Sequence, residues 1–184
     1  MTATSSKLLH VQCDQAEVAS VSEALINHMR QSKELKRQLI VPFKFDSTDI
    51  RFNNMGACLR TMYSSMIQAN TGRSDFIVAS LVRQLSALHA WGAGDLYSYF
   101  EDYLVCQGVA AYYIFILANF GECDNSALAF LGQLRFRLSK TDVPFRFVVT
   151  TGTGASANKG LLKALPGMGP SCYQFVGLNS SAGE

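Results

Sequence analysis

One stretch, from Tyr112 to Asp124, constrains the fold of this chain more than any other. It opens with an unbroken apolar run, YYIFILA, and then turns polar, at NFGECD. A run this short and this apolar indicates a strand that is buried on both faces, as in the parallel sheet of an α/β protein. Because ligands of open α/β sheets bind beyond the carboxyl ends of the strands, the polar segment marks the expected place of a functional site.

Strand and helix patterns alternate along the rest of the chain. Short apolar runs predict further strands at Lys7–Gln12, Leu39–Phe45, Phe145–Thr150 and Cys172–Leu178. Apolar residues at helical spacing predict helices that begin near positions 14, 53, 74, 95, 125 and 159. The alternation predicts an α/β three-layer sandwich with a five-stranded parallel sheet and right-handed crossovers. We expect one domain over residues 1–184, with soft termini at 1–6 and 179–184.

Three details of the pattern lead to sharper predictions. Pro42 has no N–H to donate, so the second strand should lie at a sheet edge or be irregular at that point. In the helix after the polar segment, the inner face should consist of Leu128, Leu131, Leu134 and Leu138. The charged segment RQSKELKRQ, at residues 30–38, is either a solvated helix end or a phosphate-binding patch.

The composition excludes several classes of protein. The 184 residues are 48% hydrophobic and 16% charged, which is enough apolar material for a core. No apolar run approaches the roughly 18 residues of a membrane helix, and the N-terminus lacks the apolar centre of a signal peptide. A net charge of +2 gives no electrostatic footprint for nucleic acid. The five scattered cysteines, without a CxxC, indicate reduced thiols in a cytosolic or nuclear compartment rather than a disulfide framework or a zinc site. Of the two compartments we expect the cytoplasm.

A nucleotide-binding sheet should carry a glycine-rich loop between its first strand and first helix, where backbone N–H groups hold phosphates. When the pattern GxxxxGK[ST] is laid on the segment that starts at Cys13, both glycines are replaced, by Cys13 and Val18. The lysine is replaced by Ala19, and only Ser20 agrees with the pattern. A lone serine is not a motif.

The order of several segments is more informative than this loop. The segments are LLHVQCDQAEVASVSEALINHM, QLIVPFKFDSTDIRFNNMGACLRTMYSSMIQ, WGAGDLYSYFEDYL, IFILANFGECD and RFVVTTGT. In this order they resemble the NACHT-type signal-transduction NTPases of the STAND class, and in particular the fungal nephrocystin-like N-terminal NTPase domains. The match runs from about Leu8 to Leu178. It implies a P-loop NTPase-like fold, and in the family such domains hydrolyse ATP or GTP with magnesium.

The resemblance also implies where the site has degenerated. The family's magnesium-binding Asp falls on Ala118, the second Asp of its acidic loop on Gly121, and the arginine of the next strand end on Gly152. Glu122 matches a position near the attacking water, so it is either a relic catalytic base or an ordinary carboxylate at a strand end. With Ala19 in the phosphate loop, the carboxylate of the metal and the counter-charge of the phosphates are both missing.

Two functions are compatible with this pattern. The first is a degenerate NACHT-like domain that acts as a non-hydrolysing structural, regulatory or protein-interaction module. It would need no cofactor and would bind a protein partner or itself. The alternative is a residual ATP- or GTP-binding protein, or a weak NTPase, that uses Ser20, Glu122 and the Gly152–Gly154 loop with magnesium. Neither function calls for a nucleic acid or a membrane.

Overall fold

The computed structural model describes residues 7–33, 35, 38–70, 97–98, 112–138, 145–153, 158–168 and 173–178. The strands are β1 (Leu8–Cys13), β2 (Gln38–Lys44), β3 (Tyr112–Ala118), β4 (Phe145–Gly152) and β5 (Tyr173–Gly177). The helices are α1 (Val18–Gln31), α2 (Met55–Asn70), α3 (Ser126–Leu138) and α4 (Lys159–Ala164). The helix predicted from position 74, most of the one predicted from position 95 and both predicted soft termini lie outside these residues.

The five strands form one parallel sheet in the order β2-β3-β4-β1-β5. The predicted α/β fold with a five-stranded parallel sheet is therefore confirmed. β2 lies at one edge of this sheet, as Pro42 predicts, and Pro42 is paired with Ile116 of β3. β3 is buried along its length from Tyr113, but the middle position of the sheet belongs to β4.

Helices cover both faces of the sheet, which confirms the three layers. Successive residues of a strand point to opposite faces. On one face, α1 packs Leu25, Ile26 and Met29 against three buried residues of the sheet, Ile114, Ile116 and Val148. On the other face, α2, α3 and α4 pack on a larger core. Its strand residues are Leu8, Val41, Phe43, Tyr113, Phe115, Leu117, Phe145, Phe147 and Val149.

The inner face of α3 differs from the prediction by one position. Its buried residues are Ala127, Phe130, Leu131 and Leu134, whereas Leu128 is 39% exposed. The buried set follows the i, i+3, i+4, i+7 spacing of a helix face from Ala127, and Leu128 lies about 100° away from that start. The small alanine lets the helix approach the sheet, and Phe130 packs edge-to-face on Phe147 with 5.8 Å between ring centroids.

A buried histidine joins three strands on the α2–α4 face of the sheet. His10 of β1 is 3% exposed, with its Nε2 2.7 Å from the hydroxyl of Thr151 and its Nδ1 2.8 Å from the hydroxyl of Tyr173. Burial lowers the pKa of His10 to about 4, so the ring is neutral at pH 7 and donates from one nitrogen while it accepts at the other. His10 thereby connects β5 to the rest of the sheet.

Because the strands are parallel, the carboxyl ends of β1, β2, β3 and β4 lie in one row, which we call the carboxyl edge of the sheet. The turn that follows β1 leads directly into α1, and the polar segment that follows β3 forms a 3-10 turn at Phe120–Glu122. β4 lies between β1 and β3, so its last residues separate the two turns. A P-loop NTPase-like fold requires this arrangement, in which a strand, a turn and a helix lie near the end of a second strand.

Candidate functional site

The turn between β1 and α1 stands where a phosphate loop would be, but it is wound differently. Gln15–Glu17 form a 3-10 turn in which the N–H of Glu17 donates to the carbonyl of Asp14 at 2.9 Å. Val18 is buried, and Ser20 is exposed with its hydroxyl bonded to the carbonyl of Glu17 at 2.9 Å. A phosphate loop directs its N–H groups at the ligand. Here a turn hydrogen bond uses one of these groups, and the serine hydroxyl donates to the carbonyl three residues before it.

The side chain of Gln15 lies directly against Gly152, at the end of β4. A Cβ atom added to Gly152 would lie 1.8 Å from Gln15 Oε1, 2.7 Å from Gln15 Cδ and 2.9 Å from Gln15 Cα. Real Cβ atoms do not approach other atoms this closely, and the third contact is to the backbone, which cannot rotate away. Position 152 therefore admits only glycine while the turn keeps this conformation. The arginine that the resemblance places here has no room.

A chain of hydrogen bonds joins Gln15 to the turns that follow β2 and β3. Gln15 Nε2 donates to Glu122 Oε1 at 3.1 Å and lies 3.5 Å from Asn119 Oδ1. The other oxygen of Glu122 accepts from the backbone N–H of Ser47 at 2.9 Å and from the Ser47 hydroxyl at 3.1 Å. Each oxygen of Glu122 is thus bound by a donor of the protein, and the carboxylate holds three loops together.

Asn119 makes the sharp bend by which β3 enters its 3-10 turn. It has φ 57° and ψ 39°, in the left-handed region that asparagine tolerates better than most residues. Its N–H donates to the Thr150 hydroxyl at 3.0 Å, and that hydroxyl lies 2.7 Å from Ser22 Oγ on α1. The next residue, Phe120, is fully buried and anchors the turn. After this bend Gly121 is buried, and Glu122 points toward Gln15.

The position at which the resemblance places a metal-binding carboxylate lies beside a lysine. Ala118 of β3 is the register partner of Lys44 of β2. Paired residues of neighbouring strands lie on the same face and roughly 5 Å apart. Among the described residues, no group of three or more His, Cys, Asp or Glu side chains could hold a metal ion. A lysine where magnesium would need a carboxylate, together with Ala19 in the place of the phosphate-binding lysine, does not fit a magnesium nucleotide.

The buried cysteines at this edge are protonated thiols. Burial, followed by the charges of Glu17 and Asp14, raises the pKa of the Cys13 thiol. Burial, followed by the charge of Asp124, raises the pKa of Cys123 to about 12. Because the thiolate is the reactive form, neither cysteine supplies a nucleophile at neutral pH. Both are packing residues of the strand ends.

A pocket of about 260 Å³ opens beside the β1–α1 turn, between α1 and the ends of β2 and β3. Five of its lining residues, at helical spacing, come from α1, and the others come from the turn and the two strand ends. The lining residues are Gln15, Val18, Ala19, Ser22, Glu23, Ile26, Lys44, Ala118 and Asn119. The pocket lies on the α1 face of the sheet, where Ala118 and Lys44 also point.

The structure gathers most of the positions predicted from the sequence but not all of them. Cys13 and Gly152 are direct register partners, and Ala118, Gly121 and Glu122 follow one another around the end of β3. Ser20 is separate, since its hydroxyl stays within its own turn. Sequence reasoning missed four residues that build the edge, which are Gln15, Lys44, Asn119 and Thr150. Only Asn119 had a local signal, as a residue that favours left-handed backbone directly after a strand.

Comparisons with known proteins find similar solved structures. A chain of the Drosophila ORC bound to AT-rich DNA and Cdc6 is 14% identical over 95% of this chain, with a TM-score of 0.48. A chain of the Drosophila ORC bound to poly(dA/dT) DNA and Cdc6 is 15% identical over 98%, with a TM-score of 0.45. This chain spans about a quarter (26%) of the length of those chains.

No family model matches the chain, and no curated protein matches it. The fold, with its parallel sheet and its strand–turn–helix edge, is P-loop NTPase-like. In the part of the chain that the structure describes, no helix is long and apolar enough to span a membrane.

Proposed function

We propose that this chain is a degenerate NACHT-like P-loop domain that acts in the cytoplasm as a non-hydrolysing structural or regulatory module for a protein partner or a second copy of itself. One observation carries the proposal. The side chain of Gln15 fills the space over Gly152 and is bonded to Glu122, so the place of the phosphates is occupied by the protein itself.

The chemistry of phosphoryl transfer supports this reading. The transition state needs positive charge on the phosphate oxygens and a metal between them. In this chain, Ala19 stands at the position of the loop lysine and Ala118 at that of the carboxylate that binds the metal. Gly152 stands at the position of the arginine. Removal of a single group that stabilises transition-state charge typically costs roughly 100- to 1,000-fold in rate. With all of these groups absent, hydrolysis at a useful rate has no physical basis.

The β2–α2 loop supports a role in protein binding. Ile50 is 80% exposed and Phe52 is 44% exposed, although large apolar side chains are usually buried. The loop that carries them is well ordered, because Asp46 Oδ1 accepts from Thr48 and an ion pair of 2.7 Å joins Arg51 to Asp49. A rigid loop that presents apolar side chains loses little conformational entropy on binding. The net charge of +2 favours a protein over a nucleic acid as the partner.

The proposal is tested by calorimetry with ATP, ADP and GTP in the presence of magnesium. We expect no saturable binding by the natural chain, and micromolar affinity for any of the three would overturn the proposal. A first restoration variant, Val18→Gly/Ala19→Lys/Ala118→Asp, returns three residues of the family pattern. It should gain little binding by itself, since the new Asp would pair with Lys44 and Gln15 would still fill the site.

A second restoration variant adds Gln15→Gly and Lys44→Ala to the first. If the geometry described above is what closes the site, this variant should bind nucleotide more tightly than the first. Equal affinities would show that Gln15 and Lys44 do not block the site. Turnover by the natural chain that vanished in Glu122→Gln would favour the residual NTPase instead, and turnover unchanged by that substitution would indicate a contaminant.

A further inference from the structure

The pocket between α1 and the ends of β2 and β3 is lined in part by Val18, Ala19 and Ala118, three of the positions that the resemblance assigns to nucleotide binding. Its walls combine small or branched apolar side chains with two opposite charges. The apolar part is formed by Val18, Ile26 and Ala118, and the charges are those of Lys44 and Glu23. A concave site with an apolar wall and a few polar groups is the usual form of a small-molecule site.

Most uncharged polar groups of the lining are already used within the protein, and the exception is Gln15 Oε1, which is buried without a hydrogen-bond partner. Ser22 Oγ donates to the carbonyl of Val18 at 2.6 Å, and Gln15 Nε2 is bonded to Glu122. Asn119 gives its N–H to Thr150, and its side-chain amide lies 3.4 Å from the carbonyl of Phe45. The bonded groups fix the shape of the pocket, and Gln15 Oε1 lies against Gly152.

The two charged residues of the lining, Lys44 and Glu23, are not engaged in this way. Lys44 and Glu23 are both exposed residues that line the same pocket, and neither forms an ion pair with any described residue. Asp46, the other acidic group near Lys44, is held by hydrogen bonds from Thr48. One lysine and one glutamate therefore belong to the lining of a single cavity, Lys44 on the sheet and Glu23 on the helix.

We propose that this pocket binds a small zwitterion of amino-acid size, with an apolar side chain. The ligand's carboxylate would lie at Lys44, its ammonium group at Glu23, and its side chain against Val18, Ile26 and Ala118. The volume of about 260 Å³ supports a ligand of this size, since pockets for drug-sized ligands occupy roughly 300–1,000 Å³. A simple anion would leave Glu23 unpaired, and a divalent cation would be repelled by Lys44.

Calorimetry or ligand-observed NMR with three matched probes tests the proposal on the full chain. The probes are L-leucine, isovalerate, which lacks the ammonium group, and isoamylamine, which lacks the carboxylate. We expect saturable binding of L-leucine, and binding of each analogue at least about tenfold weaker. No saturable binding of L-leucine at millimolar concentration would overturn the proposal, and so would equal affinity for either analogue.

Two substitutions assign the charges. Lys44→Met keeps the length of the side chain and Glu23→Gln keeps its shape, and each should weaken L-leucine binding at least about tenfold. Lys163→Met, an exposed lysine on α4 at the opposite face of the sheet, is the matched control and should change nothing. Unchanged affinity in Lys44→Met or in Glu23→Gln would refute the assignment. The zwitterion and nucleotide assays are independent, so failure here leaves the proposed function standing.

Discussion

The contact between Gln15 and Gly152 gives the sharpest test of the structure. Gly152→Ala adds a single methyl group at the end of β4. That methyl would lie 1.8 Å from Gln15 Oε1 and 2.9 Å from Gln15 Cα. The amide can swing away, but the backbone contact remains, so the β1–α1 turn itself has to move.

The magnitude follows from two terms. Overpacking of a tight site costs about 1–3 kcal/mol, and loss of the Gln15–Glu122 hydrogen bond, which involves a charged group, adds about 1.5–3 kcal/mol if the amide is displaced. Because the two terms overlap, we expect Gly152→Ala to reduce the free energy of unfolding by about 2–4 kcal/mol. For a chain of this size the melting temperature should fall by roughly 5–15 °C.

Urea unfolding followed by circular dichroism measures this change. Gly132→Ala is the matched control, since nothing lies within 4 Å of a Cβ at Gly132, which is exposed in α3. Alanine there should stabilise the chain by about 0.5–1 kcal/mol, because glycine is a poor helix former. In the double variant Gln15→Ala/Gly152→Ala, part of the loss should be recovered. A Gly152→Ala protein as stable as the natural chain would refute the packing of Gln15 over Gly152.

Three further predictions concern the buried hydrogen bonds of the same sheet. His10 has a pKa of about 4 when folded and 6.5 when unfolded, so stability should be lost as pH falls from about 6.5 to 4. The free energy of unfolding should fall by about 3 kcal/mol over this range. Urea unfolding at pH 7.5 and pH 4.5 measures the change, and the difference between the two pH values should be smaller for His10→Gln than for the natural chain. Thr150→Val strands the N–H of Asn119 and should cost about 1–3 kcal/mol, while exposed Thr61→Val should cost under about 0.5 kcal/mol. Ser20→Ala should change stability by less than about 0.5 kcal/mol and leave nucleotide binding unaltered, against a metal-binding role for Ser20.

Much of the fold was predictable because it depends on local pattern. The apolar runs and the helical spacing between them predicted the parallel sheet, and the missing N–H of Pro42 predicted an edge strand. The sequence predicted Leu128 on the buried face of α3, whereas the structure buries its neighbour Ala127. Periodicity predicts that a helix has an apolar face, but when apolar residues are adjacent only the packing partner decides which of them is turned inward.

The proposed loss of chemistry rests on the sequence, because the resemblance places charged groups of the family at Ala19, Ala118 and Gly152. What replaced them was not visible. The bond between Gln15 and Glu122 joins residues 107 positions apart, and Lys44 meets Ala118 only because β2 pairs with β3 in one register. Composition and periodicity fix which groups a chain possesses and which elements it forms. Strand order and register decide which distant side chains share a space, and here they bring Gln15 against Gly152 and place Lys44 beside Ala118.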